Sequence, residues 1–131
     1  MLLRPAFENF QVSFATTDPE LGVRAGIDDV LVLPDANRNR PLQLIRCFFA
    51  AWSIVRGAKP DFIITTGALP GLLCLVAGRW NGAKTIWIDS VANSEQLSFS
   101  GKLAQSFSTL SITQWEHLAQ PPRLLFEGRL L

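Results

Sequence analysis

The chain has almost no surplus charge. Over 131 residues, 12 basic side chains stand against 11 acidic ones, a formal net charge of +1. Non-specific nucleic-acid binding draws on a strong basic excess, so nucleic acid is excluded as a partner class. Cysteine is scarce as well. Cys47 and Cys74 lie apart inside apolar stretches and form no C-x-x-C pair, which argues against a zinc site or a disulfide framework. Buried free thiols of a reducing compartment are the better reading. The one histidine, His117, is too few for a His-based metal cluster. Beside Glu116 on a polar turn it reads as a solvated surface residue rather than a base. No cofactor and no metal are expected.

Stricter motifs are missing too. The chain has no G-x-x-x-x-G-K-[ST], no G-x-G-x-x-G and no G-x-S-x-G, which removes the P-loop, the dinucleotide fingerprint and the nucleophile elbow. A long hydrophobic run is absent. The stretch from Phe62 to Gly78 is uncharged, but Thr65, Thr66, Gly67, Pro70 and Gly71 interrupt it, and a spanning helix needs about 20 mainly apolar residues. Arg4, Pro5 and Glu8 near the start do not suit a signal peptide. A role at a membrane would therefore mean lying on it, or being held there by a partner.

What is present points to a folded α/β chain. Hydrophobic residues make up 48% and charged residues 18%, which excludes disorder. The length suits one domain, residues 1–131. Residues 10–16 alternate apolar and polar like a half-buried strand, and Val30 to Leu33 form a second, with residues 21–29 between them as a loop. Residues 41–56 have a helical period. Ile45, Phe48, Phe49, Trp52 and Val55 fall on one face, with Gln43, Arg46, Ser53 and Arg56 on the other. That stripe reads first as core-facing, and second as a partner or membrane surface. Pro41 suits the first turn and Gly57 the stop.

Residues 61–66 read as a central strand covered on both faces. A Gly-rich turn, a helix over 72–80 and a strand over 84–89 complete a βαβ unit with parallel strands. A short helix near 100–107, capped by Ser98 or Ser100, a strand over 110–113, a helical turn at 115–118 and a strand over 123–126 follow.

Ligands of an open α/β sheet collect beyond the carboxyl ends of its strands. Those ends are Thr65, Thr66, Gly67 and Ala68, then Asp89 and Ser90, then Gln114 and Trp115. Gly67 and Gly71 allow a tight turn, and Pro70 sets the first helical turn. Exposed N–H groups there favour an anion, although an ordinary βα turn has the same composition. Asp89 reads mainly as a hydrogen-bonding residue at a strand end, with general base as the other role.

The same residues resemble a family. Residues 60–71 (PDFIITTGALPG) are similar to the P-D-hydrophobic-S/T-T-G-A-G-P-G stretch of certain glycosyltransferase halves. Residues 81–90 (NGAKTIWIDS) resemble its G-A-K-hydrophobic-E-S strand, residues 97–102 (LSFSGK) its L-S-x-[ST]-G-K segment, residues 114–118 (QWEHL) its Q-W-E-x-L, and residues 128–130 its closing G-R-L. The family is the membrane-recruiting, acceptor-side subunit of the two-subunit UDP-N-acetylglucosamine transferase of lipid-linked oligosaccharide synthesis. Its bacterial relatives serve exopolysaccharide and capsule synthesis.

The resemblance implies a Rossmann-like, mostly parallel sheet forming the N-terminal half of a GT-B glycosyltransferase. It implies a separate nucleotide-sugar-binding subunit as partner, and transfer of N-acetylglucosamine or a similar hexose from a UDP-sugar to a lipid-linked glycan acceptor. The chain would not be active alone. It would sit peripherally on the cytoplasmic face of a membrane, the bacterial inner membrane or the endoplasmic reticulum.

The implied acceptor cleft comprises Thr65, Thr66, Gly67, Ala68, Pro70, Gly71, Asp89, Ser90 and Asn93, with Gln114 and Trp115 toward the partner. Asp89 replaces the family's usual glutamate, and Asn93 stands where an arginine is expected. The family's first strand and glycine loop are missing here, as in a fragment, a start at an internal methionine or a degenerate copy. The other readings are a truncated, non-catalytic interaction protein and a free-standing phosphate- or nucleotide-binding α/β module.

Overall fold

The computed structural model describes residues 4–128. A short 3-10 turn, Arg4–Phe7, leads to strand β1 (Phe14–Thr16), helix α1 (Pro19–Arg24) and strand β2 (Val30–Val32). Helix α2 (Pro41–Ala58), strand β3 (Phe62–Thr65), helix α3 (Leu69–Trp80) and strand β4 (Lys84–Ile88) follow. Helix α4 (Phe99–Ala104), strand β5 (Leu110–Thr113), a 3-10 turn (Glu116–Leu118) and strand β6 (Leu125–Phe126) complete the order.

Every strand pairing is parallel, and the strands form two sheets. One is β1-β2; the other runs β3-β4-β5-β6. The alternating α/β order predicts this parallel arrangement. It does not predict the division. Among the described residues β3 pairs only with β4, on one side, and Phe62 and Ile64 are exposed. β3 is therefore an edge strand covered on one face, not the central strand that its apolar run suggests. α3 covers the Ile63 and Thr65 side, and among the described residues no helix covers the other.

The segment after β1 also differs from expectation. Residues 19–24 are helical, not loop. The Asp18 side chain accepts a hydrogen bond from the Glu20 N–H, and Pro19 occupies the first turn, a strong start signal for a very short helix. α2 runs through Gly57 to Ala58, and Lys59, at φ 47°, takes the left-handed capping position expected of a glycine.

The core joins the layers. Leu72 and Leu75 of α3 pack with Trp87 of β4 and Ala104 of α4, with Ile63 and Leu69 at the margin. Trp87 is wholly buried; truncating such a side chain to alanine costs about 3–5 kcal/mol. A second cluster brings Leu33, just past β2, against Ala51 of α2 and Cys74 of α3.

That cluster corrects the reading of α2. Its buried positions are Cys47, Ala51 and Val55, while Ile45 and Phe49 are exposed. α3 packs close against the small side chains, so of the stripe Val55 is buried, Phe48 and Trp52 are half-buried against Trp80 of α3, and only Ile45 and Phe49 are turned outward. Cys47 and Cys74 are buried and free, as expected. Burial pushes both thiols up from their ordinary value of 9.0, Cys74 to about 11; the Asp35 charge adds to the rise at Cys47, and Cys47 to that at Cys74.

Candidate functional site

The carboxyl ends of β2, β3 and β4 open onto a cleft of about 390 Å³. Its walls come from three separate parts of the chain: Asp35, Ala36, Asn37 and Arg38 after β2; Ala68 and Leu69 at the start of α3; and Ser98, Phe99 and Ser100 at the start of α4. Asp35 supplies the one negative charge of this lining and Arg38 the one positive charge. The Arg38 guanidinium lies 5.3 Å from the centre of the Phe99 ring, a stacking that presents the cation at the rim. With Asn37 and Ser100 beside them, the walls offer donors, acceptors and an aromatic face. That mixture suits a hydroxyl-rich ligand with an anionic group.

The turn between β3 and α3 is shaped by close packing. A Cβ at Gly71 would run into Thr65 Oγ1, so a side chain there forces Thr65 to shift. Gly67 has φ +113°, and Ala68 follows at φ 65°, ψ 160°, a region that side-chain-bearing residues seldom occupy. Of the seven residues from Thr65 to Gly71, Ala68 and Leu69 face the cleft. Thr65 and Pro70 are buried beneath the turn, while Thr66 is exposed.

Asp89 holds the next loop in place. It is 1% exposed. Its Oδ1 accepts from Ser98 Oγ at 2.8 Å and from Trp87 Nε1 at 3.2 Å; its Oδ2 accepts from Ser98 N and Asn93 Nδ2, both at 3.3 Å. All four donors come from within the chain, so the carboxylate orders the 90–98 loop from inside the protein. Ser90 lies next to Gly67 and accepts from the Ala92 N–H.

At the end of β5, Gln114 is buried and donates to the Asp89 carbonyl at 2.8 Å. Trp115 is half-buried, its Nε1 donating to Val91 O at 2.9 Å. A partner approaching this end would meet Trp115 rather than Gln114. His117 is exposed and hydrogen-bonds the Ser94 carbonyl.

The sequence points to the turn at 65–71 and not to Asp35, Asn37 and Arg38, which line the cleft beside it. Their signal was present: they follow β2 at its carboxyl end, where the same rule applies. A larger hollow of 580 Å³ lies at the opposite end of β3 and β4, lined by Arg56, Lys59, Asp61 and Lys84 among others. It faces the amino ends of the strands, where sheets of this kind do not hold their ligands. Among the described residues no group of three His, Cys, Asp or Glu side chains could hold a metal ion, and no helix is long and apolar enough to cross a membrane.

No protein-family model matches the chain, and no curated protein matches it in sequence. Among solved structures it is similar to MurG from Acinetobacter baumannii, with a TM-score of 0.76 at 12% identity. The match covers 95% of this chain and 39% of that one. The shared fold is the Rossmann-like N-terminal half of a GT-B glycosyltransferase.

Proposed function

We propose that this chain is the acceptor-side half of a GT-B glycosyltransferase, working with a second chain that binds the nucleotide sugar. The observation that carries this reading is the structural likeness to the N-terminal half of MurG, at a TM-score of 0.76. Nearly the whole chain superposes on MurG, yet it spans well under half of that protein. A GT-B active site forms in the cleft between two domains, and this chain corresponds to one of them.

The reaction of the pair would be transfer of N-acetylglucosamine or a similar hexose from a UDP-sugar to a lipid-linked glycan acceptor. Five motifs in family order support that substrate class, together with a cleft whose walls combine Arg38, Asp35, Asn37 and the Phe99 ring. Arg38 would meet the acceptor's phosphate, and the neutral polar groups its hydroxyls. Asp89 would hold the loop that carries Ser98 and Phe99 rather than take a proton itself, because its oxygens are already engaged.

The test is UDP release from a UDP-sugar and a lipid-linked acceptor, measured for the chain alone and with a nucleotide-sugar-binding GT-B half. Turnover only in the mixture supports the reading. Turnover by the isolated chain above contaminant controls would overturn the split arrangement.

A further inference from the structure

Net neutrality conceals a strong separation of charge. Residues 5–35 carry six acids and one base, a net −5, and residues 36–88 carry seven bases and one acid, a net +6. Both excesses reach the same end of the molecule. The basic one forms the hollow at the amino ends of β3 and β4. Arg56 and Lys59 enter it from the end of α2 and Lys84 from the start of β4, against the single acid Asp61. All four are exposed. The carbonyl end of α2 accounts for a cation such as Arg56 in its last turn, but not for Lys84 on a strand. The Lys84 ammonium lies 5.7 Å from the centre of the Phe62 ring, itself 52% exposed on the wall of the hollow.

The acidic excess presents Asp28 and Asp29 there, both exposed, in the bend that leads into β2. The cleft fixes their position. Asp35 to Arg38, past the carboxyl end of β2, share its walls with Ala68 and Leu69, past the carboxyl end of β3. β2 and β3 therefore point the same way, and the residues that precede them lie at the opposite end. Val23, 80% exposed in the last turn of α1, comes shortly before the acidic pair. Among the described residues the one ion pair joins Glu20 to Arg24. Asp28, Asp29, Arg56, Lys59 and Lys84 thus have no counterion among those residues.

We propose that two copies of this chain associate through these ends about a twofold axis, each seating Asp28 and Asp29 in the other's basic hollow. Two unlike patches at one end of a molecule satisfy each other when a second copy faces it; each contact is then made twice and the pair closes. A hollow of 580 Å³ has room for two aspartate side chains. Complementary charge sets the register and speeds the encounter, while Val23 and Phe62 add apolar area. A substrate of the sheet is not the occupant, because ligands of an open α/β sheet collect at the carboxyl ends. The pairing leaves the cleft, at those ends, clear. It does not rest on the transferase reading.

The test is sedimentation velocity of the full chain at low salt. Every chain carries Ile64→Lys, which closes the edge of β3 to strand pairing. A dimer is expected that weakens as salt is added. Asp28→Lys with Asp29→Lys, and separately Lys59→Glu with Lys84→Glu, should each lower the association constant about 100-fold or more by setting like charges opposite one another. An equimolar mixture of the two reversed chains should recover the dimer, since each contact returns with its signs exchanged. Glu116→Lys, at an exposed acid past the carboxyl end of β5, should leave the dimer unchanged. Where circular dichroism shows a reversed chain unfolded, Asp28→Asn with Asp29→Asn takes its place and should weaken the dimer. An Ile64→Lys chain that stays monomeric, reversed chains that still pair, or a mixture that stays monomeric would each overturn the proposal. A monomeric chain whose melting temperature rises with pyrophosphate, and no longer does so in Lys59→Glu with Lys84→Glu, would overturn it too and assign the hollow to a small anion.

Discussion

The Ser98 hydroxyl joins Asp89 to the first turn of α4: it donates to Asp89 Oδ1 at 2.8 Å and accepts the Gly101 N–H at 2.9 Å. One oxygen thus caps the helix and satisfies a buried carboxylate, and the cleft wall formed by Ser98, Phe99 and Ser100 depends on it. Ser98→Ala removes the cap and one partner of a buried charge, so a loss of about 2–3 kcal/mol is expected in urea unfolding. Asp89→Asn should destabilise the chain by a similar amount, because its amide would turn a donor toward donors. Normal stability of Asp89→Asn would show that the carboxylate does not hold this loop.

Gly71 and Thr65 form a second coupled pair. A methyl at Gly71 meets Thr65 Oγ1 first and Thr65 Cβ at 3.1 Å. Gly71→Ala is expected to cost about 1–3 kcal/mol, as overpacked sites do. Thr65→Ala should recover part of that loss in the double variant, a coupling measurable in a double-mutant cycle. Strict additivity would mean that the turn relaxes some other way.

Gly67 makes a different prediction. A Cβ there has room, with Ser90 atoms 3.9 Å away, but φ is +113°. Gly67→Val should therefore displace the backbone rather than clash, and shift Ala68 in the cleft wall. Activity of the reconstituted pair is expected to fall with the fold retained. Parent-level turnover in Gly67→Val would remove this turn from the site.

The buried thiols set a pH dependence. In the folded chain Cys74 ionises near 11, against 9.0 ordinarily. The unfolded chain releases this proton first, so stability is whole below pH 9.0 and declines as pH rises toward 11. The loss attributable to Cys74 is about 2–3 kcal/mol at the top of that range. Cys74→Ala should flatten this alkaline decline in denaturant titrations at stepped pH, and an unchanged slope would contradict it.

The open side of β3 carries the last prediction. Its unpaired backbone edge, with Phe62 and Ile64 exposed beside it, is a template for another strand. The isolated chain is expected to self-associate in sedimentation velocity, and Ile64→Lys to shift it toward monomer without loss of helical signal. A parent chain that sediments as a monomer at all concentrations would refute this.

The residues themselves determined the elements that depend on near neighbours. The helical period over 41–56, the glycines and proline around 67–71, the alternation of strand and helix, and Ser98 before a short helix were all legible, because turn chemistry and periodicity act over a few positions. Besides the helix at 19–24, two local readings failed for one physical reason. The apolar run at β3 and the stripe on α2 are each compatible with burial or exposure, and composition is silent on which neighbour arrives. The tertiary structure decided that α3 covers Ile63 and Thr65 and leaves Phe62 open, and that small residues, not Ile45 and Phe49, meet α3. It also assembled the cleft. Asp35 to Arg38, Ala68 and Ser98 to Ser100 are separated by some 30 residues each along the sequence and meet only because parallel strands bring their carboxyl ends to one side of the molecule.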